Sequence, residues 1–176
     1  ECNYKDKLDG LKKEKYCIVP VQIKNTMSEY QVRPSFNEKF PDVLALSGYI
    51  WNLNLNLAIA KHCKKINPNL KIIMGGPNFK YEDPQWVESF FTANPFIDIF
   101  IVREGENSFL KCIELLEKNK FDLTKSDYSK WPSTFYGFDF KQKKIINNLN
   151  HPVDRLELTD IPSPYLNGML DEFLED

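Results

Sequence analysis

Short apolar runs alternate with longer stretches of helical periodicity along much of this chain. Such alternation is typical of strand–helix units that build a parallel sheet. Four runs are predicted as strands, at residues 16–23, 43–47, 70–74 and 97–102. Pro20 interrupts the first run, which favours a position near a sheet edge. The sequence therefore predicts an α/β fold: a Rossmann-like (flavodoxin-like) parallel sheet flanked by helices.

The helical stretches carry apolar stripes that can cover such a sheet. In the first, the stripe consists of Leu55, Ile59, Cys63 and Ile66. In a second helix, predicted over residues 107–119, the inward face consists of Phe109, Ile113 and Leu116. A shorter helix is predicted over residues 84–91 and a polar surface helix over residues 5–15. These stripes have the spacing of amphipathic helices packed on one side.

The last third of the chain has a different texture. An aromatic-rich run at residues 134–140, followed by an apolar run at 144–146, predicts a β-hairpin lying outside the parallel sheet. Pro162 and Pro164 favour an extended linker at the C-terminal end. We expect three parts: a Rossmann-like domain over residues 1–120, a hairpin appendage over 121–155 and a linker over 156–176.

Charge and hydropathy exclude several partners. The 176 residues carry a net charge of −2, which lacks the basic footprint of a nucleic-acid binder. There is neither a signal-peptide pattern nor an apolar run of the roughly 20 residues that span a bilayer. We expect a soluble, cytoplasmic protein without a membrane partner. The sequence does not begin with Met, which is compatible with a piece of a longer protein.

The cysteines and histidines do not predict a metal site. Cys2, Cys17, Cys63 and Cys112 are too far apart for the usual zinc or iron–sulfur spacings, and we expect Cys63 and Cys112 in the core. His62 and His151 have no cysteine or carboxylate at ligand spacing, so solvated positions are expected for both. No catalytic constellation, phosphate-binding loop or dinucleotide-binding glycine motif is present.

Three loops after predicted strands are the candidate binding site. They cover residues 47–52, 75–78 and 103–106. Ligands of open parallel sheets bind beyond the carboxyl ends of the strands, where such loops meet. The candidate residues are Ser47, Gly48, Tyr49, Ile50, Trp51, Asn52, Gly75, Gly76, Pro77, Glu104, Gly105 and Glu106.

Each candidate also has a purely structural explanation. The Gly75–Gly76 pair lets a ligand approach the backbone, or makes a tight turn. Ser47 donates to a ligand or caps backbone, and Asn52 is placed to cap the following helix. Large exposed aromatic surface at Tyr49 and Trp51 needs a cover, either a flat ligand or another domain. The carboxylates of Glu104 and Glu106 suit acid–base work or the N-terminus of a helix.

Four segments, in order, resemble the N-terminal cobalamin-binding domain of B12-binding radical SAM proteins. They are PDVLALSGYIWN at 41–52, IIMGGPN at 72–78, IDIFIVREGENSF at 97–109 and IPSPYLNG at 161–168. The resemblance implies a Rossmann-like domain that binds cobalamin at the carboxyl edge of its sheet. It places the nucleotide tail beside Ser47 and Gly75–Gly76, the corrin above residues 49–52, and residues 104–106 at the side of the site.

The resemblance also implies what a parent enzyme would contain. A radical SAM domain in the same polypeptide would bind a 4Fe–4S cluster and S-adenosylmethionine and face the corrin. The Cys-x-x-x-Cys-x-x-Cys motif of that domain is not in this sequence, so this chain alone is not expected to cleave S-adenosylmethionine. Only a polar segment stands where the family has its first strand. Neither histidine lies in the Asp-x-His-x-x-Gly pattern, which predicts base-off cobalamin without a histidine ligand, with methyl transfer as one possible reaction.

Two other hypotheses about function are compatible with the sequence. The first is a Rossmann-like interaction or scaffold module that does not bind cobalamin and buries Tyr49 and Trp51 against a partner. The second is a flavodoxin-like receiver or nucleotide binder, which the missing phosphate loop and acidic cluster disfavour. Corrinoid uptake by variants at Tyr49 and Trp51 distinguishes the first alternative from the cobalamin hypothesis.

Overall fold

Three parallel strands form the centre of the fold. They are β1 (Val43–Ser47), β2 (Lys71–Gly75) and β3 (Ile99–Ile101). β2 pairs in parallel with both of the others, with Ser47 opposite Gly75 and Gly75 opposite Ile101. A helix follows β1 and another follows β2, as parallel crossovers require. The predicted Rossmann-like α/β fold is confirmed.

The computed structural model describes residues 41–148 and the single positions 157, 159, 163, 165 and 166. Residues 41–148 belong to one structural unit. The strand predicted at 16–23, the helix at 5–15, Cys2, Cys17 and His151 lie outside the described residues, as does most of the linker at 156–176. The domain boundaries stay predictions. No helix in the described part is long and apolar enough to cross a membrane.

The predicted hairpin exists, but its predicted location outside the sheet is wrong. It consists of β4 (Phe135–Asp139) and β5 (Lys144–Asn147). β4 pairs antiparallel with β3, with Phe100 opposite Tyr136, so the hairpin extends the sheet to the order β1-β2-β3-β4-β5. β4 forms its backbone hydrogen bonds with the edge of β3 that β2 leaves unpaired. The same pairing brings Phe135 and Tyr136 into the core, where both are buried.

The three helices start at or within two residues of their predicted positions. They are α1 (Leu53–Ile66), α2 (Pro84–Ala93) and α3 (Glu106–Lys118). Asp83 caps α2 by accepting hydrogen bonds from the amides of Gln85 and Trp86. This cap, together with Pro84 in the first turn, defines where α2 begins.

Three predicted stripe residues are not in the core, and one of them, Leu55, is half-buried. Ile66, in the last turn of α1, is exposed, and so is Phe109 near the start of α3. The polar residues Asn56 and Ser108 are buried instead.

Burial along the sheet is uneven. The side chains of β2 and β3 are almost all buried, whereas β1, predicted as a buried strand, is half-buried, with Ala45 and Ser47 exposed. β1 has a single neighbour among the described strands. Cys63 and Cys112 are buried and free, as predicted.

The amino-terminal edge of the parallel strands is secured by an ion pair. Lys64 Nζ lies 2.6 Å from Asp98 Oδ2, which also accepts a hydrogen bond from the amide of Ile72. Lys64 donates to the carbonyl of Leu70 as well. These contacts fasten the end of α1 to the starts of β2 and β3, and leave the opposite edge of the sheet to the three candidate loops.

Candidate functional site

The three predicted loops leave the sheet at one edge. Ser47, Gly75 and Ile101 are consecutive register partners across β1, β2 and β3. The amide of Gly48 donates to the carbonyl of Gly75 at 2.5 Å, which joins the first loop to the second. A Cβ built on Gly105 would lie 3.5 Å from Cγ2 of Ile101, so the third loop folds back over the end of β3. The structure therefore brings the three loops together.

Gly76 and Gly48 are glycines because the first two loops touch. Gly76 has a φ of +130°, and a Cβ there would lie 2.9 Å from both N and O of Gly48. No L side chain fits that position without moving backbone. The tight-turn explanation thus accounts for Gly76, whereas Gly75, with only one atom within 4 Å of its ideal Cβ, borders open space.

Two asparagines hold the first loop against Ser47. Asn52 donates from Nδ2 to Ser47 Oγ at 2.7 Å and accepts from the amide of Tyr49 at 2.9 Å. Asn56 donates to the carbonyl of Ser47 at 2.6 Å. Asn52 precedes α1 but makes no side-chain cap on that helix, so the predicted capping role is replaced by a clamp on the loop. Ser47 Oγ accepts in this clamp, and a hydroxyl that accepts still has a proton to donate.

The first loop presents a flat apolar surface. The rings of Tyr49 and Trp51 stack at 4.8 Å between centroids with planes 15° apart. Their exposed fractions are 41% and 76%, and Ile50 between them is 81% exposed. Stacking turns two side chains into one platform whose outer faces are open.

The third loop contains the one non-glycine residue with positive φ at this edge. Arg103, directly before Glu104, has a φ of +62°. Gly105 then precedes α3, and Glu106 is the acidic residue of its first turn, where the helix dipole favours negative charge. Glu104 and Glu106 are both exposed, as is Pro77 in the second loop. The geometry agrees with the dipole explanation for Glu106; acid–base work by either carboxylate stays untested.

Two residues that matter at this edge, Asn56 and Phe79, were not predicted from the sequence, and a third, Asn78, was placed in the second loop without a role. Asn56 is buried on α1. The sequence feature that could have indicated it is its position next to Leu55, at the border of the apolar stripe. Phe79 anchors the second loop by stacking on Phe100 at 4.1 Å. The Nδ2 atom of Asn78 is buried without a hydrogen-bond partner in the described part of the chain. A buried donor without an acceptor is costly, and a hydrogen bond from Asn78 Nδ2 to a ligand atom would remove that cost.

The described residues contain no group of three or more His, Cys, Asp or Glu side chains arranged to bind a metal ion. His62 is exposed on α1, as predicted. Burial raises the pKa of the thiols of Cys63 and Cys112, which keeps both protonated and unreactive at neutral pH.

No protein-family model matches the chain. Two curated proteins do match it. One is the 2-(S-pantetheinyl)-carbapenam-3-carboxylate methyltransferase of Streptantibioticus cattleyicolor, 33% identical over 134 residues. The other is the cobalamin-dependent radical SAM methyltransferase TokK of Streptomyces tokunonensis, 34% identical over 133 residues. The chain is homologous to a segment of each.

The matched segment covers 74% of this chain but 17% of each relative. The relatives are thus much longer proteins, and the similarity concerns one part of them. The name of TokK agrees with the resemblance to cobalamin-binding radical SAM proteins that the four sequence segments indicated. The similarity bears on the class of protein, and the roles of the individual loop residues rest on geometry alone.

Proposed function

We propose that this chain is the cobalamin-binding part of a radical SAM methyltransferase and that cobalamin binds where the three loops meet. The observation that carries the proposal is the stacked, exposed Tyr49–Trp51 platform at the carboxyl edge of a Rossmann-like sheet. The similarity to TokK, which is named as cobalamin-dependent, supports the choice of ligand. In the whole protein, a radical SAM domain with its 4Fe–4S cluster and S-adenosylmethionine would lie in the same polypeptide.

Open space at two glycines fits a bulky ligand. An ideal Cβ on Gly75 has only the carbonyl oxygen of Ile101 within 4 Å, at 3.5 Å, and one on Gly105 has only a methyl group of Ile101. Both contacts are at ordinary van der Waals distance, so the backbone is not closely covered at either position. A ligand can therefore approach the backbone at the ends of β2 and β3, which is the place where α/β sheets bind cofactors.

The polar and apolar groups of the loops fit the corrin and its amide rim. A broad, mostly apolar macrocycle needs a flat apolar floor, which Tyr49, Ile50 and Trp51 offer. Its amide side chains need hydrogen-bonding partners at the border. Asn78 Nδ2 is a buried donor without a partner in the described residues, and Ser47 retains a hydroxyl proton.

The residues of this chain would bind and orient the cofactor. When bound, cobalamin supplies a cobalt centre that can carry a methyl group. Asn52 and Asn56 position the first loop through Ser47 and Tyr49, so they act on the platform without being part of it. We propose base-off binding with no protein nitrogen on cobalt; the described histidine, His62, lies exposed on α1.

Titration of the 176-residue chain with hydroxocobalamin tests the proposal. Tryptophan fluorescence is expected to fall in a saturable way. After reduction to the Co(II) form, the electron paramagnetic resonance spectrum should lack the nitrogen splitting of a base-on complex. A folded chain that takes up no cobalamin, or a spectrum that retains nitrogen coordination, would contradict the proposal.

Variants of the platform separate cobalamin binding from the scaffold alternative. Covering half of an aromatic ring is worth about 2 kcal/mol, so Trp51→Ala should weaken cobalamin binding about 30-fold. Phe140→Ala, at an exposed aromatic residue on the hairpin, is the matched control and should have no effect. If both Trp51→Ala and Tyr49→Ala leave cobalamin uptake intact and instead weaken association with a protein partner, the scaffold function is correct.

A further inference from the structure

A cavity lies beside the third loop, and Arg103 is the one residue that lines the cavity and also belongs to that loop. Its volume is about 330 Å³. It lies between the segment that precedes α2, Arg103 after β3, and the hairpin. The lining residues that carry its chemistry are Tyr81, Glu82, Val87, Arg103, Tyr136 and Ile145. This volume is at the lower end for small-molecule sites and suits a compact metabolite.

Arg103 is the cation of the cavity, and its backbone conformation is unusual. Its φ of +62° is uncommon for any residue other than glycine, and such outliers concentrate at ligand-binding positions. The guanidinium carbon lies 5.1 Å from the centre of the Tyr81 ring, and Nε donates to Tyr81 Oη at 3.4 Å. No carboxylate in the described part of the chain forms an ion pair with it. The guanidinium can therefore donate two hydrogen bonds to a carboxylate.

The wall that supports Arg103 is itself fixed. Tyr136, on β4, is buried and donates from its hydroxyl to the carbonyl of Tyr81 at 3.1 Å. This bond attaches the segment that carries Tyr81 to the sheet. Val87 on α2 and Ile145 on β5 supply aliphatic surface on the lining. A preformed wall lowers the cost of ordering a ligand.

Glu82 gives the cavity an opposite charge. Both Glu82 and Arg103 line the cavity, yet they form no ion pair with each other. A simple anion would be attracted by Arg103 and repelled by Glu82. A molecule with a carboxylate and an ammonium group satisfies both. We infer that this cavity binds a small zwitterion with an apolar side chain, the chemistry of a free aliphatic amino acid.

Methyl-selective NMR of the 176-residue chain tests this inference with L-leucine as the probe. The Val87 and Ile145 signals should shift in a saturable way as leucine is added. Leucinamide lacks the carboxylate and N-acetyl-leucine lacks the ammonium group, and each should bind about ten-fold more weakly or worse. Equal shifts with all three compounds, or no saturable shift with leucine, would overturn the inference.

Two variants test which residue binds the carboxylate of leucine and which binds its ammonium group. Arg103→Asn removes the guanidinium while keeping a residue that tolerates positive φ, and it should abolish leucine binding. Glu82→Gln should remove the preference for leucine over N-acetyl-leucine. Lys80→Gln and Glu88→Gln, exposed charges outside the cavity lining, are the controls and should bind leucine normally. Normal leucine binding by Arg103→Asn would refute the assignment.

The inference does not depend on the proposed function. Cobalamin binding is read from tryptophan fluorescence with Trp51 variants, and zwitterion binding from methyl signals with Arg103 and Glu82 variants. Each can fail while the other succeeds.

Discussion

Two groups of stacked aromatic rings have opposite environments in this protein. Tyr49 and Trp51 stack at 4.8 Å on the first loop and remain exposed. Trp131 and Phe135 pack at 4.6 Å, with Tyr128 stacked on Phe135, beneath the hairpin, and both Trp131 and Phe135 are 1% exposed. The same residue types serve the core in one place and form an uncovered platform in the other. The difference supports the proposal that the platform contacts a ligand or partner, whereas the buried cluster stabilises the fold.

Replacing the buried tryptophan should have the largest effect. Trp131→Ala removes a buried indole from the cluster and should lower the free energy of unfolding by about 3–5 kcal/mol. Trp51→Ala, on the platform, should change it by about 0.5 kcal/mol or less. Urea denaturation of both variants, followed by circular dichroism, makes the comparison. A similar loss at the two positions would remove the distinction between platform and core.

A conservative variant sharpens this prediction. Trp131 Nε1 is buried without a hydrogen-bond partner in the described residues. Trp131→Phe deletes this unsatisfied donor along with part of the ring, so its cost should stay well below that of Trp131→Ala. An equal cost for the two variants would mean that the indole N–H has a partner in solution.

The next effect concerns the loop that carries the platform. Gly76→Ala forces a Cβ to within 2.9 Å of the Gly48 backbone at a φ of +130°. We expect a loss of about 3 kcal/mol in the free energy of unfolding. Gly75→Ala is the matched control; its Cβ meets only ordinary contact distances, and its cost should be about 1 kcal/mol or less. Thermal unfolding of the pair checks this, and equal melting temperatures would contradict the close approach of the two loops.

Asn56 should have a smaller effect that reaches the platform. Asn56→Ala leaves the Ser47 carbonyl without its donor and should cost about 1–2 kcal/mol. The fluorescence anisotropy decay of Trp51, in a background where the other tryptophans are phenylalanine, should report a more mobile loop. Asn54→Ala, at an exposed position of the same helix, is the control. Unchanged Trp51 mobility would show that the loop is ordered by other contacts.

The smallest effect concerns how stability depends on pH through Asp122 and Asp127, which lie in the turns before Trp131. Hydrogen bonds and ion pairs with Lys125 and Lys130 hold the pKa of Asp122 and of Asp127 at about 2, below the ordinary 3.8. Because the folded pKa values are lowered, their stabilisation is present above pH 4 and is lost as the pH falls towards 2. Carboxyl NMR titration measures both pKa values directly. Asp122→Asn with Asp127→Asn should flatten this part of the stability profile, and ordinary pKa values in the folded protein would contradict it.

Much of the parallel half of the fold could be predicted from the sequence. The strands at 43–47 and 70–74 and the three helices were predicted from apolar runs and helical stripes, which are local signals. Residues 103–106 were correctly placed at the same edge as residues 47–52, because parallel strands end on the same side. The hairpin was also found, but its partner was not, since strand pairing with β3 is a contact between distant residues.

Local pattern and covalent order determined which segments are strands and helices and which loops share an edge of the sheet. Only the tertiary structure decided that Trp131 is buried and Trp51 exposed, because burial depends on which distant segment covers a ring. It also decided that Asn56 donates to the Ser47 carbonyl, that Gly76 meets Gly48, and that Arg103 and Glu82 line the same cavity. These contacts join residues whose spacing carries no periodic signal, and a three-dimensional arrangement is needed to bring them together.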